Sequence, residues 1–174
     1  MKKISILCFL TFMLLIALTG CANDGTQNLK VGLGIDTVVK TTDATEEKNG
    51  NVEFTLTSAS VIIDENGRIV KCSVDTADYT VAYTAEGKAA ESGSLQTKYQ
   101  QGDSYGMKIY GGAKKEWYEQ ADAFCAVAVG KTLDEIKALV ADNGKGTDAV
   151  IQAGCTISVS EFVRAIETAV QNAK

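Results

Sequence analysis

The clearest alternation of apolar and polar positions lies on either side of Asp64-Glu65-Asn66-Gly67. Val52, Phe54 and Leu56 alternate with Glu53, Thr55 and Thr57, and beyond the turn Val70, Cys72 and Val74 alternate with Lys71, Ser73 and Asp75. That two-residue period is the mark of half-buried strands. Asn66-Gly67 supplies the positive φ that a type I′ turn requires, so residues 52–63 and 68–74 predict a β-hairpin. The apolar set changes parity from Leu56 to Ala59, Val61 and Ile63, which predicts a bulge or bend near Ser58. Upstream, Val31 to Lys40 is apolar, contains Gly32 and Gly34, and predicts a first strand, with residues 41–51 as an exposed polar connection. Downstream, Asp75-Thr76-Ala77-Asp78 reads as a turn. Tyr79, Val81 and Tyr83 then alternate as a further strand that Glu86-Gly87 closes.

From Lys88 to Gly112 the pattern thins, and residues 96–100 suggest a short strand. Residues 101–113, with Tyr105, Tyr110 and several glycines, read as a loop that is either functional or merely solvated. Lys114 to Val129 then takes a helical period, with Trp117, Ala121, Phe124, Cys125 and Ala128 on one face. Trp117 belongs to that stripe, which makes it a core residue rather than a ligand platform. Thr132-Leu133-Asp134-Glu135 forms a capping box for a helix carrying Leu133, Ile136, Leu139 and Val140 and ending at Asn143-Gly144. Ser158-Val159-Ser160-Glu161 forms a second box before a last helix with Phe162, Ile166, Ala169, Val170 and Ala173 on one side. Strands first and helices afterwards predict an α+β fold: an antiparallel sheet of hairpin-connected strands followed by C-terminal helices packed on it.

The N-terminus decides where such a domain would work. Met1-Lys2-Lys3 and the apolar run Ile4 to Leu18 have the form of a signal peptide and are too short for an ordinary spanning helix. The run ends in Leu18-Thr19-Gly20-Cys21, which resembles the bacterial lipobox; an ordinary secretory signal or an uncleaved anchor is the competing reading. The resemblance implies cleavage after residue 20 and lipidation of Cys21. Acyl chains contribute about 0.8 kcal/mol per buried CH₂, so two or three of them hold a domain at a membrane without a spanning helix. The expected organisation is a signal peptide over 1–20, a tether over 21–30 and a single domain over 31–174, anchored on the extracytoplasmic face of the cell membrane.

Composition removes several chemistries. The 174-residue chain carries a formal charge of −5, and loss of residues 1–20 takes Lys2 and Lys3 with it. An acidic domain without a basic run has no electrostatic route to nucleic acid. The chain has no histidine, so Ser-His and Cys-His nucleophile pairs and the usual nitrogen ligand for zinc are absent. With Cys8 in the signal segment and Cys21 lipidated, Cys72, Cys125 and Cys155 remain. Their spacing marks no metal or redox site; three buried unbridged thiols, or one disulfide with a free thiol, are the two readings.

Chemistry is expected at the junction Ala153-Gly154-Cys155-Thr156-Ile157, just before the last helix. A glycine turn that delivers the hydroxyls of Thr156, Ser158 and Ser160 to a helix N-terminus suits an anion. The competing reading is that Ser158 caps the helix and nothing binds. The order of features resembles the FMN-binding domain family. The likeness is carried by Asp64-Glu65-Asn66-Gly67-Arg68-Ile69-Val70, and by Asp148-Ala149-Val150 followed by Gly154-Cys155-Thr156-Ile157-Ser158, with Ala165-Ile166 and Ala169-Val170 in the helix behind. The resemblance implies a flavin site formed by Asp148, Gly154, Cys155, Thr156 and Ser158, with FMN held through its phosphate at Thr156 and an aromatic such as Tyr110 or Tyr118 over the ring. Ala153 stands where that family has Ser or Thr, Cys155 stands where it has Ala, and two extra residues follow Asp148. These departures argue against covalent attachment. The chain also looks like clostridial-type secreted lipoproteins bearing Tyr105-Gly106-Met107-Lys108 and Lys115-Glu116-Trp117-Tyr118, a likeness without an assigned activity.

Three functions are in contention. The first is a lipid-anchored flavin-binding domain in extracytoplasmic electron transfer, with an electron-transfer partner in the envelope. The second is a cofactor-free envelope module that binds a partner or serves a structural role. The third, an enzyme using paired carboxylates, has little support, because the acidic residues fall on helix faces and turns where solvation and capping explain them.

Overall fold

The computed structural model describes residues 28–89 and 95–174. The signal segment, Cys21 and the tether as far as residue 27 lie outside the described residues. Strands β1 (Lys30–Thr42), β2 (Gly50–Ile63) and β3 (Ile69–Tyr83) form an antiparallel sheet in the order β1-β2-β3. Helices α1 (Lys98–Gln101), α2 (Met107–Gly111), α3 (Trp117–Ala128), α4 (Leu133–Lys137), α5 (Asp148–Ala153) and α6 (Ser160–Gln171) follow, with a 3₁₀ turn at Gly102–Tyr105. This is the α+β arrangement the sequence pattern predicts. Among the described residues no helix is long and apolar enough to cross a membrane.

The helices cover one face of the sheet. Helix α6 lies on β1 and β2 while α3 lies on β3. The core between them joins Ala59, Val61 and Val74 to Phe124, Phe162 and Ile166, all nearly inaccessible. Phe162 packs edge-to-face with both Trp117 and Phe124, with ring centroids 5.6 Å apart in each pair. Trp117 is 4% exposed, as its place in the apolar stripe implies. The glycines of β1 are explained by α6. A Cβ on Gly34 would stand 2.9 Å from the carbonyl carbon of Thr168 and closer still to the Ala165 oxygen; one on Gly32 would meet the Ala169 carbonyl in the same way. Only residues without a side chain allow helix and strand backbones to approach so closely. From the first half of α6, Arg164 grips Asp36 of β1 with two bonds, 3.0 and 2.8 Å.

Several local expectations are corrected. The strand pairing runs unbroken through Ser58, so no bulge lies there; the register shift falls at Ile62/Ile63. Val52, Phe54 and Leu56 therefore point to the opposite face from Ala59, Val61 and Ile63. The hairpin turn centres on Glu65-Asn66 rather than Asn66-Gly67. Gly67 N–H donates to the Asp64 carbonyl (3.0 Å), and Asp64 N–H donates to the Arg68 carbonyl (2.9 Å). Gly67, at φ 72°, takes the left-handed position of the bulge that follows.

The segment Asp75 to Asp78 is not a turn, because β3 runs straight through it. Its polar side chains find partners across the sheet instead. The buried hydroxyls of Thr76 and Thr57 share a bond of 2.9 Å, and Asp78 accepts from Thr55 at 2.9 Å and pairs with Lys98 at 2.8 Å. Residues 96–100 contain the start of α1, not a strand: Thr97 and Gln100 close a capping box there. Much of the expected loop 101–113 is likewise folded into the 3₁₀ turn and α2. The box at Thr132 forms as predicted, but α4 ends at Lys137, short of Asn143. The box at Ser158 does not form. Helix α6 starts at Ser160, and the Ser158 hydroxyl lies 3.2 Å from both the Gly144 carbonyl and Glu161.

Candidate functional site

The segment 154–158 links α5 to α6. Asp148 opens α5 and is exposed, and Gly154 ends that helix at φ 101°, a conformation that favours glycine. The Lys115 ammonium donates to the Ala153 carbonyl at 3.0 Å, placing a cation at the carbonyl end of α5. The chain then turns inward at Cys155, which is fully buried, and outward at Thr156, which is exposed.

Thr156 is held from beneath. The buried Gln120 of α3 uses one side-chain oxygen to accept from both the Thr156 N–H (2.9 Å) and the Thr156 hydroxyl (3.0 Å). The Gln120 amide nitrogen donates to the Lys115 carbonyl at 3.1 Å. One side chain thereby fixes Thr156 and the segment that carries the two lysines. A cavity of about 480 Å³ opens here, lined by Lys114, Lys115, Gln120, Ile151, Gly154 and Thr156 together with Gln152.

Of the predicted site residues, the structure brings Gly154 and Thr156 together at this cavity. Asp148, Cys155 and Ser158 do not line it, and neither do Tyr110 and Tyr118. Tyr118 instead bonds Asp103 at 3.1 Å, and its phenol is held above the usual range by that carboxylate. Burial pushes the Cys155 thiol up to about 11. The Cys125 thiol is raised further by its contact with Cys72 and by burial. Cys125 and Cys155 are buried and Cys72 is half-buried, all three unbridged.

Sequence reasoning missed Lys114, Lys115 and Gln120. The two lysines gave a local signal, an adjacent pair just before a helix. Gln120 gave none, because its partner Thr156 lies 36 residues away.

Ser158 belongs to a second cavity, of about 310 Å³, between the sheet and the start of α6. Its walls include Thr57, Thr76, the Asp78–Lys98 pair, Trp117 and Glu161. The Lys98 ammonium sits 5.4 Å from the Tyr105 ring centre and 5.7 Å from that of Trp117. Glu116 organises the ground between the two cavities. Its buried carboxylate accepts from the Met107 N–H (2.7 Å) and the Lys108 N–H (3.0 Å), satisfying the first turn of α2. Among the described residues there is no group of three metal-ligating side chains.

A cavity with two cations suits a phosphate ester, and the Thr156 hydroxyl, whose proton is given to Gln120, would have to turn that proton to the ester. Comparison with known proteins adds a distant relative. The chain is 27% identical over 121 residues to a protein of Desulfitobacterium hafniense named "Chlorophenol reductase". The match covers 62% of this chain and 37% of that protein, so the chain spans little more than a third of the relative's length. That protein's name is of a redox type. No family model matches the chain, and no solved structure matches it.

Proposed function

We propose that the protein is a lipid-anchored extracytoplasmic domain that binds FMN through its phosphate at Thr156 and serves electron transfer in the cell envelope. The observation that carries this reading is the Thr156 hydroxyl, exposed in a cavity beside Lys114 and Lys115 and fixed by Gln120. The residues fit the group's phosphate end. Two ammonium groups offset its charge, and Gly154 carries no side chain that would narrow the approach. Bound flavin would supply reversible one- and two-electron chemistry, while the protein supplies binding and orientation. The redox-type name of the distant relative supports the same reading. Cys21 would carry the anchor.

A second reading, a cofactor-free envelope module, is favoured by Ala153 and Cys155, which break the pattern expected for covalent attachment. The visible spectrum and intact mass of the chain, exported in the presence of a flavin transferase, separate the two. Flavin absorption that falls in Thr156→Val and in Lys115→Gln is the expected result; a matching mass increment would add covalency. A flavin-free mass, with unchanged FMN fluorescence on titration into the purified protein, would overturn the flavin reading.

A further inference from the structure

The helices cover one face of the sheet, and the pairing register defines what the other face carries. Val31, Leu33, Ile35 and Val39 of β1 lie on it, each with about half or more of its surface exposed, beside Phe54 and Leu56 of β2. Val39 stands opposite Phe54, which in turn stands opposite Tyr79 of β3, so the apolar surface runs across all three strands. Among the described residues of the three strands, the charged groups on this face are Lys71 and Asp75. Thr37, Ser58, Ser60 and Ser73 share the face with these residues; an exposed, largely apolar surface of this extent is uncommon on a monomer and marks a docking surface.

The occupant is constrained by shape, size and charge. With strands of 13 to 15 residues, the face measures roughly 43 Å by 14 Å, taking about 3.3 Å per residue and 4.8 Å per strand. That corresponds to roughly 600 Å² in projection and more in accessible area, close to the ~800 Å² per partner of a stable protein interface. Flat sheets pack on flat sheets about 10 Å apart with interleaved side chains, and a nearly uncharged apolar face is complementary to itself. A lipid surface fits less well, since Lys71 is the one cation there to meet anionic headgroups.

Edge-to-edge pairing is blocked at one end of the free edge of β1. Val31 exchanges both its backbone bonds with Lys174, at 3.2 Å each, and the Leu33 carbonyl accepts from the Asn172 side chain at 3.1 Å.

We propose that this open sheet face is the interface for a second copy of the same chain, forming a twofold-symmetric sandwich of two three-stranded sheets. The helices and the Thr156 cavity then face outward on both copies, so the inference is independent of whether flavin binds. Leu56 sits in the middle of the central strand and lies close to its counterpart across the twofold axis.

The test places the photo-cross-linking residue p-benzoylphenylalanine at Leu56 in the full-length protein, expressed in its membrane, with the same residue at the helix-side position Ile109 as control. The adducts are identified by mass spectrometry. The expected product is a covalent dimer from position 56 and none from position 109. Adding Leu33→Glu and Phe54→Glu should reduce the dimer by roughly tenfold or more, because each carboxylate would be forced into an apolar interface. Circular dichroism of the purified double variant reports whether the fold is kept, and a folded variant that still yields the dimer overturns the proposal. So does an adduct to lipid or to a different protein, or the absence of any adduct from position 56.

Discussion

Gly34→Ala tests one of the two close approaches of α6 to β1. The added Cβ would meet the Ala165 oxygen and the Ala169 nitrogen, backbone atoms of α6 that no rotamer change can move. An ordinary carbon contact needs about 3.5 Å, so α6 must lift from β1 by roughly 1 Å. A gap of that size forfeits a quarter to a half of the dispersion energy of each contact it opens. The side chains that α6 buries, Phe162, Val163, Ala165, Ile166 and Ala169, share the loss. Full burial of one large apolar side chain is worth about 1.5–3 kcal/mol, so partial unpacking of Phe162 and Ile166 costs roughly 1–3 kcal/mol. Strain from overpacking adds about 1–3 kcal/mol.

The expected destabilisation is therefore about 2–6 kcal/mol, a large part of the 5–15 kcal/mol by which domains are stable. Urea denaturation followed by Trp117 fluorescence measures it, with the slope checked for constancy. Gly111→Ala is the internal control. It sits at a helix end with nothing within 4 Å of the added Cβ and has no positive φ, so its stability should stay within about 1 kcal/mol of the parent. A Gly34→Ala midpoint as close to the parent as that of Gly111→Ala would refute the account of β1 and α6.

Two further outcomes are expected. Gln120→Met, near in volume, removes the acceptor of Thr156 and the donor to Lys115, and should cost about 1–3 kcal/mol in urea denaturation; it should also weaken any FMN binding, whereas an unchanged midpoint would deny Gln120 its holding role. The Cys155 thiol, pushed up to about 11 from an ordinary 9.0 by burial, should resist iodoacetamide at pH 8 until the protein is unfolded. Its contribution to stability is fully present below pH 9 and is lost as pH rises through 11, so the urea midpoint should fall across that window. A midpoint that is flat or rising between pH 9 and 11, or prompt alkylation of native Cys155, would contradict the buried placement.

The sequence by itself determined those features whose partners lie a few residues apart. The alternation around Asp64 to Gly67 gave the hairpin, the capping box of Thr132 and Glu135 gave the start of α4, and the spacing of Trp117, Ala121 and Phe124 gave the buried side of α3. Tertiary structure decided everything whose partner is distant. Asp75 to Asp78 has the composition of a turn, yet it is a strand because Thr55, Thr57 and Lys98 satisfy its polar groups. Asp148, Cys155 and Ser158 are near Thr156 in sequence, but a helix end and an inward turn send them elsewhere. Gln120 comes to it from α3, and Lys114 and Lys115 come from the segment just before that helix. The parity change in β2 marked not a bend but a strand with apolar residues on both faces, one covered by helices and one open. Which face the helices cover was settled by Gly32 and Gly34, since only there can the α6 backbone come down onto the sheet.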